Sequence, residues 1–364
     1  VWILHVCHSY YPPFLDCARQ YNALFKGTAY KVLTVYLTGE YHSEIAQGTC
    51  SDEVIFLGYK SKEVRGLKLA AIARIKEIVK QKDFLFCIAH RVKPTYVALL
   101  ATKLPIVSVH HNYNDYSRWS RRLLVNHYQN RMLMLGVSNS VRDDMERDLG
   151  WGPAKIQTLY NHIDVATMQA VMQSKEEARQ ALGLPQDAYV IGNVGRLHHD
   201  KDQATLIRGF NHALANLPPN SLLYIAGNGP LEQDLRHLIA NLGLSSKVIL
   251  AGNIPDAKRY FRAFNLFALT SDREPFGMVL LEAMAAELPI ICSDCGGGVE
   301  VVKGQAELFE FGSATALSQA MQKLAKQSNT NTIKQATEKL NTLFSDQAVQ
   351  QQFWNIEFIK EMQK

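Results

Sequence analysis

The feature that most limits how this chain folds is an order that runs through it twice: a short apolar run, a turn, a helical stretch, then the next apolar run. Residues 1–7 (VWILHVC), 31–37, 84–89, 105–109 (PIVSV) and 133–137 are apolar without the alternation of a half-buried strand, which marks strands covered on both faces. Shorter runs at 54–57 (VIFL) and 156–160 complete the set. Helical patterning reaches to about residue 25 and recurs over 63–81, 94–103, 118–134 and 138–147. The last of these opens on Ser138-Asn139-Ser140, whose side chains suit the free amides of a helix start. Parallel strands need long crossovers, and helices supply them.

The order restarts after a polar stretch containing Pro185. Strands at 190–194, 222–226 (LLYIA), 247–251, 265–269 and 289–292 alternate with helices at 202–216, 230–242, 256–263 and 278–287. A chain of 364 residues also exceeds what one hydrophobic core ordinarily serves. The expectation is an α/β protein of two Rossmann-like domains with parallel sheets, residues 1–165 and 188–345, joined by a linker at 166–187. The amphipathic stretch 346–364 has no strand after it and is expected to return to the first domain as a helix.

The chain is 47% apolar and 20% charged, as soluble globular proteins are, and no window approaches the roughly 20 apolar residues of a membrane span. No signal peptide is visible, although the opening at Val1 rather than Met leaves a removed leader open. The net charge of +5 is uneven: residues 1–165 carry +7 and residues 166–364 carry −2. A basic half points to an anionic partner: a membrane surface, a phosphorylated acceptor or nucleic acid. It contains no recognisable nucleic-acid module, so nucleic acid is not expected. Cys7, Cys17, Cys50, Cys87, Cys292 and Cys295 lie mostly in apolar runs, which predicts reduced thiols and a cytoplasmic setting. Cys292 and Cys295 have CxxC spacing but lack the second pair a zinc knuckle needs, so they are read as structural.

Three motifs in the second half carry the chemistry. Gly195-Arg196-Leu197-His198-His199-Asp200-Lys201 follows a strand; the glycine admits a ligand to the backbone, and Arg196 and Lys201 supply a fork and a point charge suited to a diphosphate. Ala226-Gly227-Asn228-Gly229-Pro230-Leu231-Glu232 starts like a dinucleotide fingerprint, but its third glycine is replaced by Glu232, which also fits a plain strand-to-helix turn. In Ser271-Asp272-Arg273-Glu274-Pro275-Phe276-Gly277-Met278-Val279-Leu280-Leu281-Glu282, Glu274 precedes a helix and Glu282 sits within its apolar second turn. A carboxylate there is costly to bury unless hydroxyls or cations meet it. The amides of residues 277–280 add an anion site.

GRLHHDKD, IAGNGPL and EPFGMVLLEA, in this order and spacing, resemble glycosyltransferase family 4, retaining enzymes of the GT-B fold; the match is dense over 190–302 and looser elsewhere. The resemblance implies two domains facing across a cleft, a nucleotide-sugar donor with UDP favoured, and hexosyl transfer. It implies that Arg196 and Lys201 bind the donor diphosphate, Glu282 the ribose, and Glu274 the transferred sugar, with the backbone of Phe276, Gly277, Met278 and Val279 helping. Gly195, Gly227 and Gly229 belong to the same donor site. Gly296-Gly297-Gly298 with Glu300 resembles the family's GG-x-x-E stretch. PIVSVHH resembles the strand whose terminal histidine lies near the sugar; His111 takes that place, with His110 as the alternative. No Asp-x-Asp is taken as a metal site, so neither metal nor cofactor is expected. One loop departs from the pattern: Tyr11-Pro12-Pro13-Phe14-Leu15-Asp16-Cys17 stands where the family has Gly-Gly, so Asp16 is read either as displaced or as an acceptor contact.

The acceptor is expected to be a glycan or a lipid-linked glycan, lipopolysaccharide core among them; His90, Arg91 and Lys93 of the basic half follow a strand end and are read either as contacts to a phosphorylated acceptor or as a solvated loop. Residues 60–82 hold Leu67, Ala71, Ile75 and Ile78 at helical spacing among Lys and Arg. Such a helix either lies on anionic lipid, placing the protein at the inner face of the cytoplasmic membrane, or packs on a core with a solvated face. The rival functions are a nucleotide-sugar epimerase and a non-catalytic nucleotide-sugar-binding scaffold.

Overall fold

The computed structural model of the protein describes residues 1–11 and 14–363; Pro12 and Pro13 of the first loop lie outside them. The chain divides into two compact units, Val1–His162 with Asp346–Lys364, and Ile163–Ser345.

The first unit is built on a seven-stranded parallel sheet. Its strands are β1 (Trp2–Cys7), β2 (Lys31–Thr38), β3 (Glu53–Tyr59), β4 (Phe84–His90), β5 (Ile106–His110), β6 (Met132–Gly136) and β7 (Ile156–Thr158), in the order β3-β2-β1-β4-β5-β6-β7. β5 and β6 are buried along their whole length, the signature that the unbroken apolar runs predicted. The second unit has six parallel strands, β8 (Tyr189–Val194), β9 (Ser221–Ala226), β10 (Val248–Gly252), β11 (Leu266–Leu269), β12 (Ile290–Ser293) and β13 (Glu307–Phe309), in the order β10-β9-β8-β11-β12-β13. Its core joins Leu206, Ile207 and Phe210 of one crossover helix to Leu223 and Ile225 of β9 and Leu317 and Met321 of a later helix. Both orders reverse beside the first strand, between β1 and β4 and between β8 and β11. Loops at the carboxyl ends of strands flanking such a reversal are where open α/β sheets bind ligands.

Several elements differ from expectation. The stretch 166–187 is no open linker: Val165–Val171 and Lys175–Leu182 are helices of the second unit. The second is started by a capping box in which Ser174 and Glu177 satisfy each other's backbone amides. The basic helix runs over Leu69–Val79 rather than 63–81, because Gly66 and Lys68 both take left-handed backbone just before it. Ala71, Ile72, Ile75 and Ile78 are buried, so its apolar stripe is spent on the core, whereas Leu67 lies outside the helix and is exposed. The stretch 118–134 is a helix only over Trp119–His127, and 256–263 is a 3-10 turn.

The C-terminal stretch joins the first unit as two helices, Asp346–Asn355 and Glu357–Met362. Phe353 is fully buried with its ring against Phe25 and Phe86, burial of the kind that contributes about 2–3 kcal/mol. Trp354 Nε1 donates to Leu24 O at 2.9 Å. Asp346 receives His162 Nδ1 at 2.7 Å. Among the described residues no helix is long and apolar enough to cross a membrane.

Candidate functional site

In the second unit the three motifs meet at the carboxyl ends of β8, β9 and β11. The turn after β8 and the turn after β9 lie backbone on backbone: Gly195 N–H donates to Ala226 O, and Leu197 N–H to Asn228 O, both at 2.9 Å. Gly227 has φ +140, and a Cβ on it would stand 1.9 Å from Gly195 O; one on Gly229 would stand 2.3 Å from Leu197 O. Glycines at 227 and 229 are therefore required by the fold of the two turns, before any ligand is considered.

Arg196 is held at its backbone by the buried Gln203, whose Nε2 donates to Arg196 O at 2.9 Å, while its guanidinium is largely exposed. Arg196 Nη2 and Lys201 Nζ lie 3.5 and 4.0 Å from the same oxygen of Asp200. Two cations that converge on one carboxylate oxygen can also share a diphosphate. Asp200 and Asp202 do have Asp-x-Asp spacing, but each is otherwise engaged. Asp200 takes His198 Nδ1 at 2.5 Å, and Asp202 caps the following helix by accepting from Thr205 N–H.

Lys201 Nζ reaches Glu274 Oε2 at 2.5 Å, and Ser271 Oγ donates to the same oxygen at 3.2 Å. The glycine run after β12 seats the Glu274 backbone. Gly297 N–H donates to Glu274 O at 2.6 Å, and Gly296, at φ +68, would put a Cβ 2.7 Å from that oxygen. The helix Met278–Ala285 begins at Gly277 beside this pair and carries a half-buried Glu282. One detail corrects the sequence reading: Leu280 N–H is bonded to Gly277 O, so it is not offered to an anion. The Phe276 ring is buried edge-on against Phe344, so its place at the site is through its backbone alone.

In the first unit His111 and His90, at strand ends, and His5, inside β1, form a histidine chain. His111 Nε2 lies 2.9 Å from His90 Nδ1, His90 Nε2 lies 2.8 Å from His5 Nε2, and His5 Nδ1 lies 2.8 Å from Asn22 Oδ1. Asn22 Nδ2 donates to Thr49 O at 2.7 Å, which leaves Oδ1 as an acceptor only. His5 must then carry its proton on Nδ1, His90 on Nε2 and His111 on Nε2, and His111 Nδ1 accepts, with Cys17 Sγ 3.7 Å away. Every ring in this sequence is neutral. Burial holds His5 at about 4 and, with Arg91 and His110 adding repulsion, His111 at about 3; His90 is pushed well down by burial and by His5. His5, Cys7 and His90 offer three metal-ligating atoms within 4.8 Å of one another, but the hydrogen bonds already use the imidazole nitrogens.

The chain assigns His90, read as an acceptor contact or part of a solvated loop, to the interior. His110 is separate, its Nδ1 2.7 Å from Asp115 and its Nε2 2.8 Å from Ser108. Arg91 stacks its guanidinium on Phe14 at 4.4 Å, and exposed Asp16 pairs with Arg19 at 3.3 Å. Lys93 is half-buried. Sequence reasoning missed His5 and Asn22, because a histidine inside an apolar strand carries no periodic signal. It also missed His8, after β1, whose Nδ1 is buried without a hydrogen-bond partner among the described residues. Burial, then Lys93 and Arg91, hold His8 at about 4. The cysteines are all free.

Residues 29–167 match the family described as Glycosyltransferase Family 4, and residues 174–341 match Glycosyl transferases group 1. An uncharacterized glycosyltransferase of Methanocaldococcus jannaschii is 31% identical over 174 residues, 47% of this chain and 44% of its own length. The N-acetylgalactosamine-N,N'-diacetylbacillosaminyl-diphospho-undecaprenol 4-alpha-N-acetylgalactosaminyltransferase of Campylobacter jejuni is 28% identical over 227 residues, 59% of each chain. The chain spans about half the length of the curated relatives it matches. The Anabaena protein HepE in complex with UDP superposes with a TM-score of 0.81 at 20% identity, over 97% of this chain and 98% of that one. This likeness establishes two Rossmann-like domains of the GT-B fold.

Proposed function

The chain belongs to glycosyltransferase family 4, and from that premise we propose that it transfers a hexose from a UDP-sugar to a glycan or lipid-linked acceptor, with retention at the anomeric carbon and without a metal. The observation that carries this reading is the Lys201–Glu274 pair, set between the Gly195 turn and the start of the helix Met278–Ala285. Unliganded, the two charges neutralise each other. A donor separates their tasks: Lys201 turns with Arg196 to the diphosphate, and Glu274 accepts hydrogen bonds from sugar hydroxyls. As the glycosidic bond breaks, negative charge grows on the leaving diphosphate, and fixed cations there lower the barrier as a metal ion otherwise does. Glu274 serves as a binding group and not as a nucleophile, so the acceptor oxygen attacks on the face the diphosphate leaves, and the departing phosphate takes its proton.

The UDP found with the HepE neighbour and the diphospho-undecaprenol in the name of the Campylobacter relative support the choice of donor and acceptor class. Lipopolysaccharide core remains within that class of envelope acceptors. The test is a panel of UDP-, GDP- and ADP-sugars followed by NMR without added metal. Selective binding of a UDP-sugar, with slow release of free sugar in its retained anomeric form, is the expected result. Failure to bind any donor overturns the reading in favour of a scaffold.

A further inference from the structure

We propose that a cavity of the first unit is a subsite for the phosphate or diphosphate group of an acceptor, a refinement that rests on the transferase reading above. The cavity, of about 570 Å³, lies within the range of small-ligand sites. Five of the residues that line it are Arg65, Lys68, Lys93, Arg118 and Arg121, and none is Asp or Glu. They come from three segments: the left-handed turn before the helix Leu69–Val79, the first turn of the helix Val92–Ala101, and the start of the helix Trp119–His127.

Five cations gathered around one space repel one another, and folded proteins ordinarily relieve this with carboxylates. Here, among the described residues, none of the five has an ion pair. The repulsion shows in Lys68, lowered by burial and then by Lys93 and Arg121, and in Lys93, lowered by burial and then by Arg65 and Arg121. The groups are also held in place. Lys68 Nζ sits 4.2 Å above the Tyr96 ring, and Arg121 Nη1 is tied to Asp115 O at 2.8 Å. A compact dianion supplies what the protein withholds, and guanidinium forks with ammonium groups are the set that matches its oxygens.

The rim indicates what the phosphate is attached to. Leu67 and Leu69 flank Lys68, and Trp119 and Leu123 follow Arg118 and Arg122; all four are at least 60% exposed. Single exposed apolar side chains are ordinary, but four on two of the three segments that bring the cations suit an anion with an apolar tail. A lipid-linked diphosphate is therefore favoured over a soluble phosphate ester of the same head-group chemistry.

The test uses the full chain saturated with UDP, so that the donor site is closed to a second diphosphate, and titrates inorganic pyrophosphate and then geranyl diphosphate by calorimetry. Both are expected to bind, the geranyl compound about ten-fold the tighter. Lys93→Ala with Arg121→Ala should weaken both by roughly 10–100-fold, the loss of two charge-assisted contacts, while UDP affinity stays unchanged. Arg65→Ala with Arg118→Ala, at exposed positions, gives the same test without touching packed side chains. Equal binding to wild type and variants, or no binding to wild type, overturns the subsite. Equal affinity for the two probes overturns the lipid source and leaves the anion site standing. If UDP itself fails to bind, the donor reading falls, and the pyrophosphate comparison of wild type with variants still decides the cavity.

Discussion

Lys201 Nζ stands 2.5 Å from Glu274 Oε2, with both side chains more than four-fifths buried, so each is the other's neutralising partner in the unliganded protein. Removing one takes from the other its shortest ion pair in a largely buried setting. Lys201→Ala and Glu274→Ala should each lower turnover by about 10²–10³-fold, as loss of a transition-state electrostatic contact does. Stability should fall by only about 1–3 kcal/mol in each, and the double variant should lose less than the two together. Turnover near wild type in Glu274→Ala removes it from the site. Additive stability losses show that the pair does not act as a unit.

The contact of the two glycine turns gives a second test. Gly227→Ala places a methyl group 1.9 Å from Gly195 O at a φ of +140, so one of the turns must move. Because the displaced backbone carries Arg196, UDP binding should fall together with stability, the latter by more than about 2 kcal/mol. Gly243→Ala is the control: it has positive φ but open space around it, and should cost about 1 kcal/mol with unchanged UDP affinity. Calorimetric UDP titration of the two variants separates close approach from backbone conformation. Equal effects on binding contradict the assignment.

The histidine chain predicts how stability depends on pH. His5 at about 4 and His111 at about 3 lie below the ordinary 6.5, because burial disfavours the charged rings. Between the folded and unfolded values the unfolded chain binds more protons, so stability increases with pH across that window. The contribution is complete above about 6.5 and is lost as pH falls from there toward 4, at up to about 1.4 kcal/mol per pH unit for each histidine. Urea midpoints at pH 7.5, 6 and 5 should trace this fall, and His5→Asn should flatten it by one proton. An unchanged slope in His5→Asn means that His5 is not among the rings held neutral.

Sequence patterning carried the alternation of strands and helices because strands buried on both faces leave unbroken apolar runs, as in 106–110 and 132–136. The family resemblance, rather than patterning, assigned Arg196, Lys201 and Glu274 to one donor site, and the structure brings Lys201 and Glu274 into contact. Patterning did not reach the Gly297–Glu274 contact, which joins the loops after β12 and β11 and has no local signal. Nor did it reach His5 and Asn22, whose partners lie 85 and 27 positions away. The basic helix was overextended because Leu67 continues the apolar spacing, whereas the backbone at Gly66 and Lys68 breaks it. The helices within 166–187 had a signal that charge obscured: Ser174-x-x-Glu177 is a capping box, and its polar residues read equally well as a linker.

Arg179, in that same stretch, explains why it folds with the second unit. The side chain is 1% exposed, and its Nε donates to Ala263 O at 3.0 Å. Its two terminal nitrogens reach Gln186 O at 2.5 Å, Ala188 O at 2.8 Å and Asn265 Oδ1 at 2.7 Å. One guanidinium thus ties the helix Lys175–Leu182 to the entry of β8 and to the loop before β11, using the fork geometry that Lys lacks. Arg179→Ala removes this donor from Ala263 O, Ala188 O and Gln186 O, while Asn265 Oδ1 keeps the Val190 amide, and should destabilise the protein by about 3–5 kcal/mol. Arg179→Lys should recover less than half of that loss, since one ammonium cannot span the set. Thermal unfolding of the two variants checks both values. A loss below about 1 kcal/mol in Arg179→Ala means that 166–187 behaves as the linker its composition suggests.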